Sequence, residues 1–288
     1  MIEIKNDIES LRSLSQIFTP SNFKKIVRRK DYSYTNNRIN KHISLQTPTT
    51  KKNLIEFVYQ ELQTNYKSEY LYKNALINKL LLGKYSLNTT TIINEFKIGS
   101  SIADFVLLNG EVRIFEIKTE LDSLDKLSKQ VSDYCQFANK VYVVTHSKFI
   151  DKLISEYRDS NIGIIEYTQQ NTLKEIVEAK DNSTYFDHLT IFKTLRKPEY
   201  LDIINQYFGY LPDVPNTQIF KECVSLAKQI EVKEFQKVVF QKLKERKLKC
   251  PDLLKSEKTP YELKHICYSI DMNKNEYSEL FDFLNQTI

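Results

Sequence analysis

The sequence predicts an α/β (α+β) chain: a mixed sheet flanked by helices, then an all-helical region. Three observations predict it. Residues 89–120 form three short runs rich in β-branched and aromatic residues, punctuated by Gly99 and Asn109-Gly110. Two continuous apolar runs, KVYVVTH (140–146) and IGIIEY (162–167), alternate with segments of helical spacing. From about residue 170 the periodic segments are all helical in spacing, with Pro198, Pro212, Pro215, Pro251 and Pro260 between them or at their starts.

The elements follow in order. Residues 1–45 read as short helical pieces and a loop. NLIEFVYQEL (53–62) is apolar at helical spacing, and SEYLYKNALINKLLLGKY (68–85) carries a broad apolar stripe that Gly83 ends. The next three runs, 89–99, 101–110 and 111–120, are consecutive antiparallel strands, because Asn-Gly between two such runs marks a hairpin. Residues 121–140 return to a helical period, with Leu124, Leu127, Val131, Tyr134 and Ala138 on one face. A buried strand (140–146), a helix and a second buried strand (162–167) follow. The helical remainder begins with TLKEIVEAK, which reads as a helix. These shifts divide the chain into a basic segment at 1–52, a core at 53–170 and a helical C-terminal domain at 171–288.

Composition narrows the function classes. The chain has 288 residues, 41% hydrophobic and 27% charged, enough for a hydrophobic core and unlike a disordered chain. There is no run of about 18 apolar residues, so no membrane span or membrane partner is expected. The start, MIEIKNDIES, lacks the layout of an export signal. Four cysteines with no C-x-x-C pair argue against a zinc or disulfide scaffold, and a cytoplasmic, reducing compartment is expected. Only five glycines are present, and neither G-x-G-x-x-G nor G-x-x-x-x-G-K-[ST] occurs, which excludes the glycine-rich phosphate loops. Four histidines without H-E-x-x-H spacing argue against a zinc hydrolase. Chemistry is left to carboxylates, lysines and hydroxyls.

The net charge of +5 is uneven. Residues 1–60 hold eleven Lys and Arg against five Asp and Glu, and the rest hold 31 against 32. The densest part, KKIVRRK at 24–30, contributes Lys24, Lys25, Arg28, Arg29 and Lys30. With tyrosines nearby, it suits a nucleic-acid backbone; a solvated surface segment is the other reading.

Asp104, Glu116 and Lys118 form the candidate catalytic constellation. Glu-x-Lys occurs seven times in the chain, so context must separate the one at 116–118. Residues 111–118 alternate as a strand, with Ile114, Glu116 and Lys118 on one face. Asp104 lies on the preceding hairpin strand among Ile102, Ala103, Phe105 and Val106, where an acid is costly unless paired or metal-bound. Pairing across the Asn109-Gly110 turn places Asp104 near the same end of the sheet as Glu116. Two such carboxylates suit Mg2+ or Mn2+. The alternative is a half-exposed strand with solvated charges.

These residues resemble the PD-(D/E)XK nuclease superfamily, whose restriction-endonuclease-like core is a helix, a three-strand meander with Asp then Glu-x-Lys, a crossing helix and a buried fourth strand. SIADFVLLNG, FEIKTE, SLDKLSKQVSDYCQFA and KVYVVTH match it in order. Gln130 and Tyr134 match the Gln-x-x-x-Tyr pattern of the exonuclease-like branch. More narrowly, residues 69–146 resemble a little-characterised bacterial and phage-borne family, which leaves the C-terminal helices unexplained. The resemblance implies that 53–170 is the nuclease-like core. Asp104, Glu116 and the Ile117 carbonyl would hold the metal, and Lys118 would assist the attacking water. Glu69 or Glu95 would add an accessory acid. Ala103 replaces the proline of the motif.

The expected function is a metal-dependent nuclease acting on DNA, with a role in phage defence or a mobile element implied by the resemblance alone. A non-catalytic nucleic-acid or protein-binding module on the same fold, and an RNA-cleaving toxin, remain open. So do a protein partner at the helical C-terminal domain and a homo-oligomer.

Overall fold

The computed structural model describes residues 2–4 and 7–288. They form two compact units: residues 1–87 with 248–288, and residues 88–247.

Unit 1 is mainly helical. A short strand β1 (Ile2–Ile4) pairs antiparallel with β2 (Ile43–Leu45). Between them lie α1 (Ile8–Ser15), α2 (Pro20–Arg29) and α3 (Ser33–His42). Asp7 caps α1 by accepting the Ser10 N–H at 2.8 Å, and Thr19 with Pro20 starts α2. α4 (Lys51–Asn65) and α5 (Glu69–Leu76) follow, and α5 runs into a π-helical turn at Ile77–Leu82. The single helix expected over 68–85 is thus interrupted, with the side chains of Asn74 and Asn78 both bonded to the Tyr261 carbonyl.

Unit 2 begins with β3 (Thr91–Ile98), β4 (Ser101–Asn109) and β5 (Glu111–Lys118), the antiparallel meander the sequence predicts. α6 (Leu127–Cys135) is shorter than the 121–140 segment, because Asp122 turns back on the Thr119 N–H and hydroxyl at 2.8 and 2.7 Å. β6 (Lys140–Thr145) and β7 (Gly163–Tyr167) add parallel strands, with α7 (Ile150–Glu156) between them. β8 (Leu173–Val177) closes the six-stranded sheet antiparallel to β7. This segment reads as a helix in sequence but is a strand. Asn171 takes the left-handed conformation at φ 57° and the Thr168 N–H bonds the Thr172 carbonyl, which makes a hairpin.

Helices α8 (His188–Phe192), α9 (Lys197–Phe208), α10 (Ile219–Ala227) and α11 (Val232–Lys244) complete unit 2. Ile191, Phe192, Phe235 and Val239 share one buried cluster with Ile114, Val141 and Val143 of the sheet and Leu127, Val131 and Tyr134 of α6. These helices are therefore a layer on the sheet's own core. The chain then returns to unit 1 as α12 (Pro251–Lys255), α13 (Lys264–Ile270) and α14 (Lys274–Asn285). α14 packs on α2 and α4, and Thr287 bridges to Thr50. The units thus divide differently from the sequence boundaries at 52/53 and 170/171, because the terminal helices cover unit 1 and the ones before them cover the sheet. Among the described residues no helix is long and apolar enough to cross a membrane.

Candidate active site

The geometry starts from β5, which lies between β4 and β6. Its alternation suggests one solvated face, yet Glu116 is only 2% exposed and Lys118 9%. Buried charges need partners. Two residues apart on a strand, the two side chains share a face, and Lys118 Nζ meets Glu116 Oε1 at 3.0 Å.

β4 then kinks at Asp104. The β4–β5 ladder runs from Asn109 opposite Glu111 to Phe105 opposite Phe115 and stops one step before Asp104 and Glu116. On the other side, the β3–β4 ladder skips the level of Glu95 and Asp104, where Glu95 takes φ 52°. Alternation breaks at the same point: Leu108 and Val106 face the core cluster, and so does Ala103. Such irregularities re-aim a side chain. Here the Asp104 carboxylate turns to β5 and accepts the Ile117 N–H at 2.9 Å. N–H and C=O of one strand residue point to the same side, so the Ile117 carbonyl faces this opening too.

α6 covers the pair. Gln130 and Tyr134 are one turn apart, as their spacing predicts. Gln130 Oε1 accepts from Lys118 Nζ at 2.9 Å, while its amide N–H donates to Glu116 Oε1. The Tyr134 hydroxyl lies 2.8 Å from Glu116 Oε2 and 2.8 Å from the Ile102 carbonyl. Burial, then the neighbouring Glu116 charge, pushes its pKa far above the usual phenol range. Tyr134 is thus a core aromatic and a direct contact of Glu116 at once.

Asp133 anchors α6, a role the sequence does not signal. Its Oδ2 accepts from the Ser100 N–H at 3.1 Å, the Ser100 and Ser101 hydroxyls at 2.9 and 2.6 Å, and Lys129 at 3.2 Å. Burial pushes this carboxyl up, but the Ser101 and Ser100 hydroxyls and Lys129 outweigh it and hold it below the ordinary range. The turn at Gly99 (φ 60°) passes so close that a Cβ there would lie 3.0 Å from Asp133 Cγ. Thr145 is a second unforeseen support, donating its hydroxyl to the Lys118 carbonyl at 2.8 Å.

Glu95 is exposed, on the ladder level of Asp104. Glu69 belongs to unit 1, where it pairs with Lys73 at 2.6 Å. Lys24, Lys25, Arg28, Arg29 and Lys30 are exposed, in or just after α2 of unit 1.

The donor set fits a hard cation. A carboxylate offers about four lone pairs. Lys118, Gln130 and Tyr134 use three of those on Glu116, and Ile117 uses one on Asp104 Oδ2. Oxygen atoms of Glu116, Asp104 and the Ile117 carbonyl therefore suit magnesium or manganese with water completing the shell. Among the described residues no three His, Cys, Asp or Glu side chains converge as a metal group, so a cation here would have at most two carboxylates and a carbonyl from the protein.

The family described as Bacteriophage P4 protein cII matches residues 62–266. The chain belongs to that family. The match contains Asp104, Glu116, Lys118, Gln130 and Tyr134 and leaves α2 outside it. Protein cII of Enterobacteria phage P4 is 28% identical over 179 residues, which cover 60% of this chain and 66% of that relative. This chain thus spans just under two thirds of the length of the curated cII protein it matches. A solved structure, a protein of unknown function from Silicibacter pomeroyi, aligns over 33% of this chain and 62% of its own at 14% identity. Its TM-score of 0.26 is too low to bear on the fold.

Proposed function

We propose that this cII-family chain is a metal-dependent phosphodiesterase that cuts DNA. One observation carries the reading. The kink at Asp104 brings that acid, Glu116 and the Ile117 carbonyl to one opening beside Lys118. Each group has a task that its contacts support. The Ile117 N–H fixes the Asp104 carboxylate. Gln130 and Tyr134 hold the Glu116 rotamer, so it presents its remaining lone pair without reorganisation. Lys118 places its side-chain nitrogen beside the acids, where it would orient an attacking water or stabilise the charge developing on a phosphate oxygen. Asp104, Glu116 and the Ile117 carbonyl would hold a magnesium or manganese ion, which would supply a water of lowered pKa and neutralise phosphate charge. The relation to a phage protein supports a place on a mobile element or in phage defence.

A second reading has its own observation. Glu116 Oε1 already accepts from both Lys118 and Gln130, a closed arrangement that suits a binding module retired from catalysis.

Magnesium and manganese titrated into the protein with linear, circular and single-stranded DNA and with RNA separate the readings. Metal-dependent DNA cleavage, lost in Glu116→Gln and in Lys118→Ala, is the expected outcome. Cleavage of RNA alone would move the substrate to RNA. Undiminished cleavage by both variants would remove this site from the reaction, and nucleic-acid binding indifferent to metal with no cleavage would leave the binding module.

A further inference from the structure

The second region that points to a ligand lies in unit 1. Unit 1 holds 20 Lys and Arg against 14 Asp and Glu, while unit 2 holds 22 against 23. α2 gathers part of that excess on one side. It buries Asn22, Phe23, Ile26 and Val27, so Lys24, Lys25, Arg28 and Arg29 share the opposite, exposed side. The pairs 24/28 and 25/29 are neighbours on successive turns, where like charges destabilise a helix. Of these four, Arg28 serves the packing of α2 through its ion pair with Glu276 of α14.

The surroundings sort these cations. Arg28 pairs with Glu276 at 2.6 Å and Lys30 with Glu279 at 2.8 Å, so both are offset by α14. Among the described residues no acid makes an ion pair with Lys24, Lys25 or Arg29. Asp31, whose Oδ1 accepts the Ser33 N–H and hydroxyl, lies near enough to feel Lys25 and Arg29 and offsets them in part without an ion pair. α3 extends the cluster. The Asn22 amide donates to the Thr35 hydroxyl at 2.9 Å and holds α3 against α2. Arg38 lies 3.6 Å from the Tyr34 ring centroid, and Lys25 lies 5.8 Å from the same ring.

We infer that this face, Lys24, Lys25 and Arg29 of α2 with Arg38 on Tyr34, docks the phosphodiester backbone of a nucleic acid. Arginines offer forked donors to phosphate oxygens, and lysines add point charges. A membrane surface fits worse, because an interfacial helix needs a free apolar face. The apolar side of α2 is spent in the core: Phe23 and Ile26 are 0% exposed. The inference goes beyond the nuclease reading and does not depend on it.

The test is fluorescence anisotropy of the full chain in EDTA, which reads binding with no cleavage. The probes are a labelled DNA duplex, an RNA duplex of the same length, and anionic phosphatidylserine vesicles. The wild type is compared with Lys24→Gln/Lys25→Gln/Arg29→Gln. A control, Lys228→Gln/Lys233→Gln/Lys237→Gln, removes the same charge from exposed positions of unit 2. The α2 variant is expected to bind both duplexes at least tenfold more weakly at low salt. Its log–log salt slope should fall by about 2.7, at about 0.9 per lost phosphate contact. The control should stay within twofold of wild type, and Lys24→Arg/Lys25→Arg/Arg29→Lys should keep the affinity. Unchanged duplex binding by the α2 variant, an equal loss in the control, or a dependence on α2 seen with vesicles alone would each overturn the inference.

Discussion

In unit 2 Glu116 and Lys118 of β5 are buried and bonded to one another, whereas in unit 1 the charges of α2 stand on the surface and are only partly offset. Glu116 and Lys118 sit under α6, tied by Gln130 and Tyr134 into one geometry. Lys24, Lys25 and Arg29 project from a helix whose packing does not need them. The contrast separates two uses of charge. A buried pair has lost its solvation and must be satisfied in place, so it specifies an arrangement. An exposed cation keeps its water and acts at a distance that salt screens, so it attracts without specifying.

The sharpest way to break this contrast is to remove one partner of the buried pair. Lys118→Met leaves Glu116 buried beside an apolar side chain, and should cost about 3 kcal/mol of unfolding free energy. Glu116→Gln/Lys118→Met should recover at least half of that loss, because no lone charge remains. Urea unfolding followed by circular dichroism reads both, and a single variant as stable as wild type would mean that the pair is not buried in solution.

Unit 1 has a buried titratable group of its own, which makes the next largest effect. His265 has its pKa lowered to about 3, by burial and then by the Lys73 charge. The folded histidine therefore stays neutral while the unfolded one protonates near 6.5, so stability falls as pH drops from 6.5 towards 3. Between pH 7.5 and 5 this one group should remove about 2 kcal/mol. Stability measured at the two pH values should differ by that much less in His265→Gln. An identical pH dependence in both proteins would rule the histidine out.

Tyr134→Phe is a milder cut into the buried network. It removes the hydroxyl between Glu116 and the Ile102 carbonyl and should cost about 1–3 kcal/mol. Cleavage should fall with it while the far-ultraviolet spectrum is kept; a variant as active as wild type would free Tyr134 of any role in holding Glu116.

Lys24→Gln marks the small end of the scale. An exposed cation without a fixed partner should change unfolding free energy by no more than about 0.5 kcal/mol. A loss above 1 kcal/mol would show that α2 needs this charge for folding and would erase the contrast.

Much of the site is legible in the sequence because its parts are local. The Asn109-Gly110 turn sets the register that brings Asp104 to the level of Glu116, and helical spacing puts Gln130 beside Tyr134. The accessory acids are less legible, because they depend on distant packing. Glu69 looks like a neighbour of the motif but folds into unit 1, and Glu95 reaches the right ladder level yet stays exposed. Asp133 is invisible in sequence, since its partners Ser100 and Ser101 lie more than thirty positions away. β8 was obscured by apolar residues at 173, 176 and 177, a spacing that suits a helix until the Asn171 turn is seen.

By itself, then, the sequence determined what short-range periodicity and turn chemistry control: the meander, the two buried parallel strands, the crossing helix and the alignment of two carboxylates. Tertiary structure alone decided which helices cover the sheet, that residues 248–288 return to the first unit, and that Glu116 and Lys118 are buried. Periodicity says which face of an element is apolar but not what packs on it. Whether a charge is solvated or locked into a network depends on that covering layer.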